Sequence, residues 1–334
     1  MSIKLGIVGT NFISDRLWHA VQYVPEVEVC AVYSRRQETG DAFAKKYGIE
    51  QVYTDYELFL NSDLDAVYIA TPTYAHCPQT LQALEQGKHV LCEKIMAVNA
   101  KEVEQMMECA KKNQVVLLEA MRPAFDPAYQ LIMDNLPKIG KLRRVTLEYC
   151  QYSSRYDKFR QGEILNAFRP ELANGAIMDI GVYPIYMLVQ MFGMPKEVKA
   201  FSTKLENGFE GDGIVMMQYD GMLAEAVYSK ITESVNPSVF LGEDGAIVLD
   251  SVGVPEKIEI RYRDGRVEEI PYQTKAVRED ERPDNMHFEV AGFAELIKTN
   301  QVEHPYLQYT LNTLRIVDEA RKQNGIVFDA DLML

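Results

Sequence analysis

The feature that most constrains the fold is a regular alternation in the first 120 residues between short apolar runs and amphipathic segments. Five short runs consist mainly of apolar residues, at residues 4–8, 28–33, 66–70, 89–92 and 115–119. The segments between them include helical patterns at residues 13–24, 37–47, 75–86 and 100–112. Strands that are apolar on both faces and separated by helices are typical of a parallel sheet covered on both sides. The pattern predicts a doubly wound α/β domain over residues 1–123.

The alternation of short apolar runs and helical segments ends after residue 123. A strand is predicted at residues 143–151, which alternate like an antiparallel strand, and a helix at residues 183–192, with a long aperiodic stretch at 152–174 between them. Several strands with Asn-Gly and Asp-Gly turns follow between residues 196 and 272, and two helices close the chain. This pattern predicts an α+β domain over residues 124–334 with a large, mostly antiparallel open sheet.

Charge and cysteine content limit the class of protein. The formal net charge is −14, and such a field repels phosphate backbones, so no nucleic-acid partner is expected. The five cysteines are scattered without a CxxC pair, which favours reduced thiols in a cytoplasmic protein. The longest apolar segment, residues 183–195, is too short to span a bilayer, so no membrane partner is expected. The five histidines are dispersed, and no metal site is predicted.

The turn after the first strand offers a phosphate-binding element. A dinucleotide fingerprint expects Gly, Gly and Gly or Ala at positions 9, 11 and 14. Here only Gly9 matches fully, while Ser14 is a small residue that can allow close packing of helix on strand. Asn tolerates a positive φ better than other non-glycine residues, so the backbone at Asn11 can still approach a pyrophosphate. The predicted cofactor contacts of this turn are Gly9, Thr10, Asn11, Phe12 and Ile13. An ordinary tight turn would look the same, but its position before a helix favours binding of phosphate.

The end of the second strand bears on the choice of nucleotide. An NAD site usually has an acid here for the ribose 2′-hydroxyl, whereas this chain has Ser34, Arg35 and Arg36. A hydroxyl and a guanidinium suit a 2′-phosphate, so Ser34 and Arg35 favour NADP(H), with NAD(H) possible. Arg36 is interpreted as a solvated residue at the helix start.

Two further strand ends carry polar groups, at the edge where open α/β sheets bind ligands. Thr71, Pro72, Thr73 and His76 follow the third predicted strand, and all four are candidate cofactor contacts, although a first-turn histidine often bonds only to backbone. Glu93 and Lys94 end the next strand, also as cofactor contacts. A lysine there can donate to a substrate oxygen, and burial lowers its pKa toward the working range, although a single lysine is more often a surface residue.

Asp179 and Tyr183 lie four residues apart, at or just before the start of a helix. Both can face one side near the positive end of the helix dipole, where a tyrosine can shuttle a proton. The alternatives are a helix-capping aspartate and a packing tyrosine.

Together these segments resemble the Gfo/Idh/MocA family of oxidoreductases, which includes glucose–fructose oxidoreductase, inositol dehydrogenase and dimeric dihydrodiol dehydrogenase. The resemblance covers essentially the whole chain, and its most specific motifs are GKHVLCEK at residues 87–94 and MDIGVYP at residues 178–184. It departs from the family pattern at Asn11, at residues 174–175 and at Ile95, where the family usually has proline.

The resemblance implies an N-terminal Rossmann domain and hydride transfer between NAD(P) and a sugar, polyol, diol or dicarbonyl. It makes Lys94 the group that hydrogen-bonds the reacting oxygen and Asp179 the group that orients the substrate. Tyr183 fills a position that many members give to histidine, which looks more like the dihydrodiol dehydrogenase and glucose–fructose oxidoreductase branch. Family members pair through the C-terminal sheet, so a homodimer or a dimer of dimers is expected.

Substrate contacts are predicted at Arg122 and Arg169, although surface solvation or a salt bridge would account for either arginine. Two other functions remain open at this point. One is a glycosidase that retains its dinucleotide through a transient oxidation, and the other is a non-catalytic regulator that senses the cofactor.

Overall fold

The computed structural model describes residues 2–273, 276 and 284–332. These residues form two compact units. Unit 1 takes its described residues from 1–97, 101–125 and 275–310, and unit 2 from 98–100, 126–274 and 311–334.

Unit 1 is built on a parallel sheet. Its strands are β1 (Ile3–Val8), β2 (Val27–Tyr33), β3 (Gln51–Tyr53), β4 (Ala66–Ile69), β5 (His89–Glu93) and β6 (Leu117–Ala120). They lie in the order β3-β2-β1-β4-β5-β6, and every pair is parallel. This is the strand order of a Rossmann fold, and it confirms the predicted doubly wound sheet. The order reverses between β1 and β4, so the carboxyl ends of these strands open a crevice.

Helices connect these strands. They are α1 (Phe12–Val21), α2 (Gln37–Tyr47), α3 (Tyr56–Leu60), α4 (His76–Glu85) and α5 (Ala100–Asn113). Gly48 ends α2 with a φ of 71°, as its position after the last periodic residue predicts. The pair β3 and α3 was not predicted, because three and five residues are too short to show a period.

A helix from late in the chain completes the core of unit 1. Helix α9 (Met286–Lys298) buries Met286, Val290, Phe293 and Leu296 in the same apolar cluster as β1, β4 and α1. Apart from the short segment 98–100, the chain passes from unit 1 to unit 2 at residues 125–126, near the predicted domain boundary at residue 123. The prediction assigns α9 to the second domain along with all other residues after 123, whereas the apolar face of this helix is buried in unit 1.

Unit 2 contains an eight-stranded sheet. Its strands are β7 (Leu142–Cys150), β8 (Glu197–Lys204), β9 (Glu210–Tyr219), β10 (Met222–Ser229), β11 (Ser238–Gly242), β12 (Gly245–Leu249), β13 (Ile258–Tyr262) and β14 (Val267–Ile270). The order is β14-β13-β12-β11-β7-β10-β9-β8. Strand β7 pairs antiparallel with β11 but parallel with β10, and the other pairs are antiparallel. The predicted large, mostly antiparallel sheet is confirmed.

The remaining helices are α6 (Pro127–Asn135), α7 (Tyr156–Arg160), α8 (Val182–Phe192), α10 (Pro305–Gln323) and α11 (Asp329–Leu332). A π-helical turn, Ile177–Gly181, leads directly into α8. The helical stretch Pro170–Phe192 is apolar and long enough to cross a membrane by composition alone. However, 83% of its apolar window is buried inside the fold, as expected of a helix that is apolar on all sides and forms a core.

Candidate functional site

The turn between β1 and α1 brings the backbone of Gly9 close to that of Ala70. Gly9 has a φ of +104°, and a Cβ there would lie 2.9 Å from the carbonyl oxygen of Ala70. Asn11 does not adopt the positive φ that was considered for it. Its φ is −91°, and its side chain caps α1 by accepting from the Ile13 N–H at 2.9 Å, while its amide donates to the Ala70 oxygen at 2.7 Å. Ser14 is fully buried and donates to the Gly9 oxygen, which allows the close packing expected of a small residue.

A cleft of about 710 Å³ opens at this turn. Seven of the predicted cofactor contacts line it, namely Gly9, Thr10, Asn11, Ser34, Arg35, Thr71 and Pro72. Arg36 also lines it, and this residue is exposed at the start of α2, which agrees with its interpretation as a solvated residue there. Thr39 lines it too and was missed by sequence reasoning. Its hydroxyl lies 2.6 Å from that of Ser34, and the spacing of five residues across a loop gave no periodic signal.

Three predicted contacts from the same loops lie outside the cleft lining. Phe12 is the first residue of α1 and 62% exposed, and Ile13 is half-buried behind it. Thr73 begins the short 3₁₀ turn before α4 and is half-buried. Their role in cofactor binding stays a prediction.

His76 connects the cleft to the segment after β5. It is 1% exposed, and its ring nitrogens lie 2.7 Å from the Thr71 oxygen and 2.9 Å from the Ile95 oxygen. Burial lowers the pKa of His76, so the ring is neutral at pH 7 and donates its single N–H to one of the two carbonyls. The histidine therefore bonds only to backbone, the alternative that the sequence left open, and it fixes the position of the Ile95 carbonyl.

Lys94 follows β5 at the same edge of the sheet as Thr71. Ile69 and Cys92 are paired in the register of β4 and β5, and Thr71 and Lys94 each come two residues later. The backbone N–H of Lys94 donates to the Glu93 carboxylate at 3.1 Å, and the Lys94–Ile95 peptide bond is cis. Lys94 itself is half-buried, which suits a group that meets a ligand at the edge of the sheet.

A group of buried acids surrounds this segment within unit 1. Glu93 accepts from the Tyr68 hydroxyl, and burial raises the pKa of Glu93. Glu119 accepts from the Met96 N–H at 2.9 Å and from Thr310 at 2.8 Å, and burial raises the pKa of Glu119 to about 7. Burial also raises the pKa of Glu289 well above its usual range. The hydrogen bonds that Glu93 and Glu119 accept from the backbone fix the chain at Lys94 and at Met96.

The two predicted substrate contacts lie in different surroundings. Arg122 is 7% exposed, and its guanidinium donates to Asn285 at 3.3 Å and lies 4.0 Å from Asp284. Arg169 is exposed and lies 3.9 Å from Glu171. Both residues stay predictions as substrate ligands.

Asp179 lies in the π-helical turn of unit 2, and two contacts hold this turn. The Ile177 N–H donates to the buried Glu210 at 2.7 Å, and burial raises the pKa of Glu210 to about 7. A Cβ on Gly181 would lie 2.8 Å from the ring of Tyr228, so only glycine allows this approach. Single π-turns inside helices are frequent at functional sites.

The Asp179 carboxylate is paired with a lysine that sequence reasoning missed. Lys230 follows β10, and its ammonium lies 2.5 Å from Asp179 Oδ2. The side chain of Lys230 is 7% exposed, whereas that of Asp179 is 45% exposed. Nothing near residue 230 in the sequence marks it, because its partner is 51 residues away.

Tyr183 is the second residue of α8 and 4% exposed. Its ring packs edge-on against Tyr149 of β7, with the centroids 5.4 Å apart. The residue thus lies at a helix start, as predicted. Within the described ranges, no group of three or more His, Cys, Asp or Glu residues could hold a metal ion.

Two family models match the chain. An oxidoreductase family with an NAD-binding Rossmann fold, GFO_IDH_MocA, matches residues 3–121. The GFO/IDH/MocA C-terminal domain matches residues 135–248.

Relatives of known name match over nearly the whole chain. The chain is 46% identical to the scyllo-inositol 2-dehydrogenase (NADP(+)) IolU of Bacillus subtilis, over 98% of this chain and 99% of that protein. It is 28% identical to a trans-1,2-dihydrobenzene-1,2-diol dehydrogenase of Mus musculus, over 99% of each chain. Identity is thus higher to a polyol dehydrogenase than to this diol dehydrogenase.

Solved structures share the fold. KijD10, a 3-ketoreductase from Actinomadura kijaniata crystallised with NADP and TDP-benzene, has a TM-score of 0.84 at 23% identity, over 98% of this chain and 99% of that chain. An aldose-aldose oxidoreductase from Caulobacter crescentus has a TM-score of 0.81 at 20% identity, over 97% of this chain and 98% of that chain.

Proposed function

The chain belongs to the Gfo/Idh/MocA family of NAD(P)-binding oxidoreductases, and from that premise we propose that it transfers a hydride between NADP(H) and a hydroxyl-rich cyclic substrate of the inositol type. The family membership favours neither the glycosidase nor the non-catalytic regulator. The relative at 46% identity is named for scyllo-inositol and NADP(+), which supports the finer substrate and cofactor assignment.

What supports NADP(H) most directly is the end of β2. Ser34, Arg35 and Arg36 line the cleft there, and none of the three is acidic. The geometry at Gly9 fits a dinucleotide, because the lack of a Cβ leaves open the narrow space beside Ala70, where a pyrophosphate could approach the backbone. The start of α1 adds N–H groups and the positive end of a helix dipole. The guanidiniums of Arg35 and Arg36 would hold the 2′-phosphate.

Lys94 is proposed to handle the substrate proton. A bound nicotinamide accepts or supplies the hydride. As that hydride leaves the substrate carbon, the hydroxyl on the carbon must lose its proton, and the Lys94 amine at the edge of the sheet would receive it. In the reverse direction the ammonium donates to the carbonyl oxygen. The buried contacts of His76 and Glu119 hold the segment that carries Lys94, which limits its motion.

Asp179 and Tyr183 are proposed to take part in the same reaction. The carboxylate of Asp179 accepts hydrogen bonds from substrate hydroxyls and so orients the ring. The Tyr183 hydroxyl can relay the proton or donate to the reacting oxygen. A substrate with several hydroxyls offers hydrogen bonds to both groups, whereas an apolar substrate would offer them none.

We also propose that two copies pair through the eight-stranded sheet. Phe201 of β8, Met216 of β9, Leu223 of β10 and Leu241 of β11 are 70%, 40%, 48% and 37% exposed. The strand registers place them on one face, opposite the buried face that includes Val215, Met217 and Phe240. An apolar sheet face of this kind suits an isologous dimer. The cytoplasmic location stays a prediction.

Absorbance of NADPH tests the proposal. Oxidation of scyllo-inositol and related polyols should reduce NADP⁺, with NAD⁺ a poorer acceptor. Lys94→Ala should leave the dissociation constant for NADPH within a few fold and lower kcat by about 100-fold or more. Lys101→Ala, at an exposed lysine of α5, is the control and should retain activity. Unchanged kcat in Lys94→Ala would refute the role given to Lys94.

A further inference from the structure

Lys230 is an ammonium buried in unit 2. The residue is 5% exposed and directly follows β10, where its N–H donates to the Gly211 oxygen at 2.8 Å. Its side-chain ammonium reaches Asp179 Oδ2. Burying an ammonium costs free energy unless it is paired and hydrogen-bonded. A buried lysine here therefore indicates a specific role, because an exposed lysine would serve solubility equally well.

Two aromatic rings fix the other sides of this ammonium. It lies 5.4 Å from the ring centroid of Phe168 and 5.9 Å from that of Phe209. Both rings are fully buried and pack against each other in a tilted arrangement, with their centroids 4.6 Å apart, and Asn207 donates to the Phe168 oxygen at 2.8 Å. Cation–π attraction and the ion pair together restrict the lysine to one position. The carboxylate that it contacts is half-exposed, so the pair has a fixed inner member and an outer member that faces solvent.

We propose that Lys230 is a positioning residue for Asp179: it fixes the carboxylate in one orientation and keeps it ionised, so that Asp179 presents an acceptor to a substrate hydroxyl. An ionised carboxylate only accepts hydrogen bonds, whereas a protonated one also donates. The pair therefore selects substrates that offer a donor hydroxyl next to the reacting carbon. This inference rests on the proposed function, because it requires that Asp179 bind substrate.

The aromatic contacts connect Lys230 with the segment 152–174. Phe168 lies in the short 3₁₀ turn Asn166–Phe168, within the aperiodic segment 152–174 that also carries Arg169, a predicted substrate contact. The ring of Tyr156 stacks on Phe168 at 5.7 Å. The position of this loop and the orientation of Asp179 thus depend on the same ammonium.

A double-mutant cycle tests the proposal with the full-length protein, using scyllo-inositol and NADP⁺. Lys230→Met keeps most of the side-chain volume and removes the charge. It should lower kcat/KM by about tenfold or more while the dissociation constant for NADPH stays within a few fold. Lys230→Arg keeps a cation and should recover most of that loss. In the Asp179→Asn background, Lys230→Met should have little further effect, because the group through which it acts is gone.

The control is Lys204→Met, at an exposed lysine at the end of β8, which should leave kcat/KM unchanged. An equal loss from Lys230→Met in both backgrounds, or no recovery by Lys230→Arg, would overturn the proposal. If Lys230→Met does not fold, Lys230→Gln, which keeps a donor but no charge, takes its place in the same cycle with the same expectations. Asp179→Asn with wild-type kcat/KM would refute the role of Asp179 itself and this inference with it. An inactive Asp179→Asn beside a fully active Lys230→Met refutes only the inference.

Discussion

At the residue scale, the end of β2 carries the choice between the two dinucleotides. The Ser34 hydroxyl is held by Thr39 at 2.6 Å, and the Thr39 hydroxyl in turn lies 3.0 Å from the Arg36 oxygen. These contacts fix the loop that bears Arg35. The guanidinium is exposed at the cleft and always charged, so a 2′-phosphate can pair with it without a change of protonation.

Arg35→Ala should therefore raise the KM for NADP⁺ by about 10- to 100-fold, the range that loss of charge-assisted hydrogen bonds implies. The KM for NAD⁺, which has no 2′-phosphate, should change less than about threefold on the same principle. Steady-state kinetics with both dinucleotides measures the two values. Arg143→Ala is the matched control, since Arg143 pairs with Glu243 on the sheet of unit 2. Equal losses with both dinucleotides would place Arg35 outside the 2′-phosphate site.

Residues differ in how well the sequence predicts them. Gly9, Ser34, Arg35 and Thr71 follow strands whose apolar runs are evident, so their place at one edge of the sheet follows from the parallel topology. Lys230 could not be found in this way. Its importance comes from burial and from a partner 51 residues away, and neither leaves a local pattern.

At the element scale, the structure and the sequence agree where a segment is long enough to show a period. The helices α2 and α5 and the strands β1 and β5 lie within a residue or two of their predicted bounds. Helix α9 was predicted as a helix but not as part of unit 1. The apolar stripe of α9 indicates that one face of the helix is buried, but helical periodicity does not identify the sheet that covers this face.

Phe293→Ala tests the place of α9 in the core of unit 1. Phe293 is 1% exposed in the apolar cluster that includes β1 and α1, so its truncation should cost about 3–5 kcal/mol of unfolding free energy in unit 1. Trp18, the single tryptophan, lies on α1 and reports on this unit by fluorescence during urea unfolding. Glu295→Ala on the exposed face of α9 should change the same free energy by about 0.5 kcal/mol or less. Similar unfolding midpoints for the two variants would mean that α9 does not stabilise unit 1.

At the scale of the whole molecule, one face of the eight-stranded sheet carries several exposed apolar side chains among the described residues. The exposed face is not uniformly apolar, because Arg144 pairs with Glu225 between Leu223 and Met216. Polar pairs among apolar residues are typical of interfaces between folded protomers, which need specificity as well as burial. A stable interface buries about 800 Å² per partner, so most of such a sheet face would take part.

Replacing Phe201 and Leu223 together by glutamate should convert the proposed dimer into a monomer. The two side chains are 70% and 48% exposed in the single chain, so their replacement does not disturb the buried face of the sheet. In the dimer, the new carboxylates would repel their symmetry-related copies, and the apolar area that Phe201 and Leu223 bury would be lost. Light scattering coupled to size exclusion at micromolar concentration should give about 38.1 kDa for the variant and about twice that mass, or four times it for a dimer of dimers, for the parent chain. Leu58→Glu, at an exposed leucine of α3 in unit 1, is the control and should keep the parent mass. A parent chain that is already monomeric, or a double variant that keeps the parent mass, would show that this sheet face is not the interface.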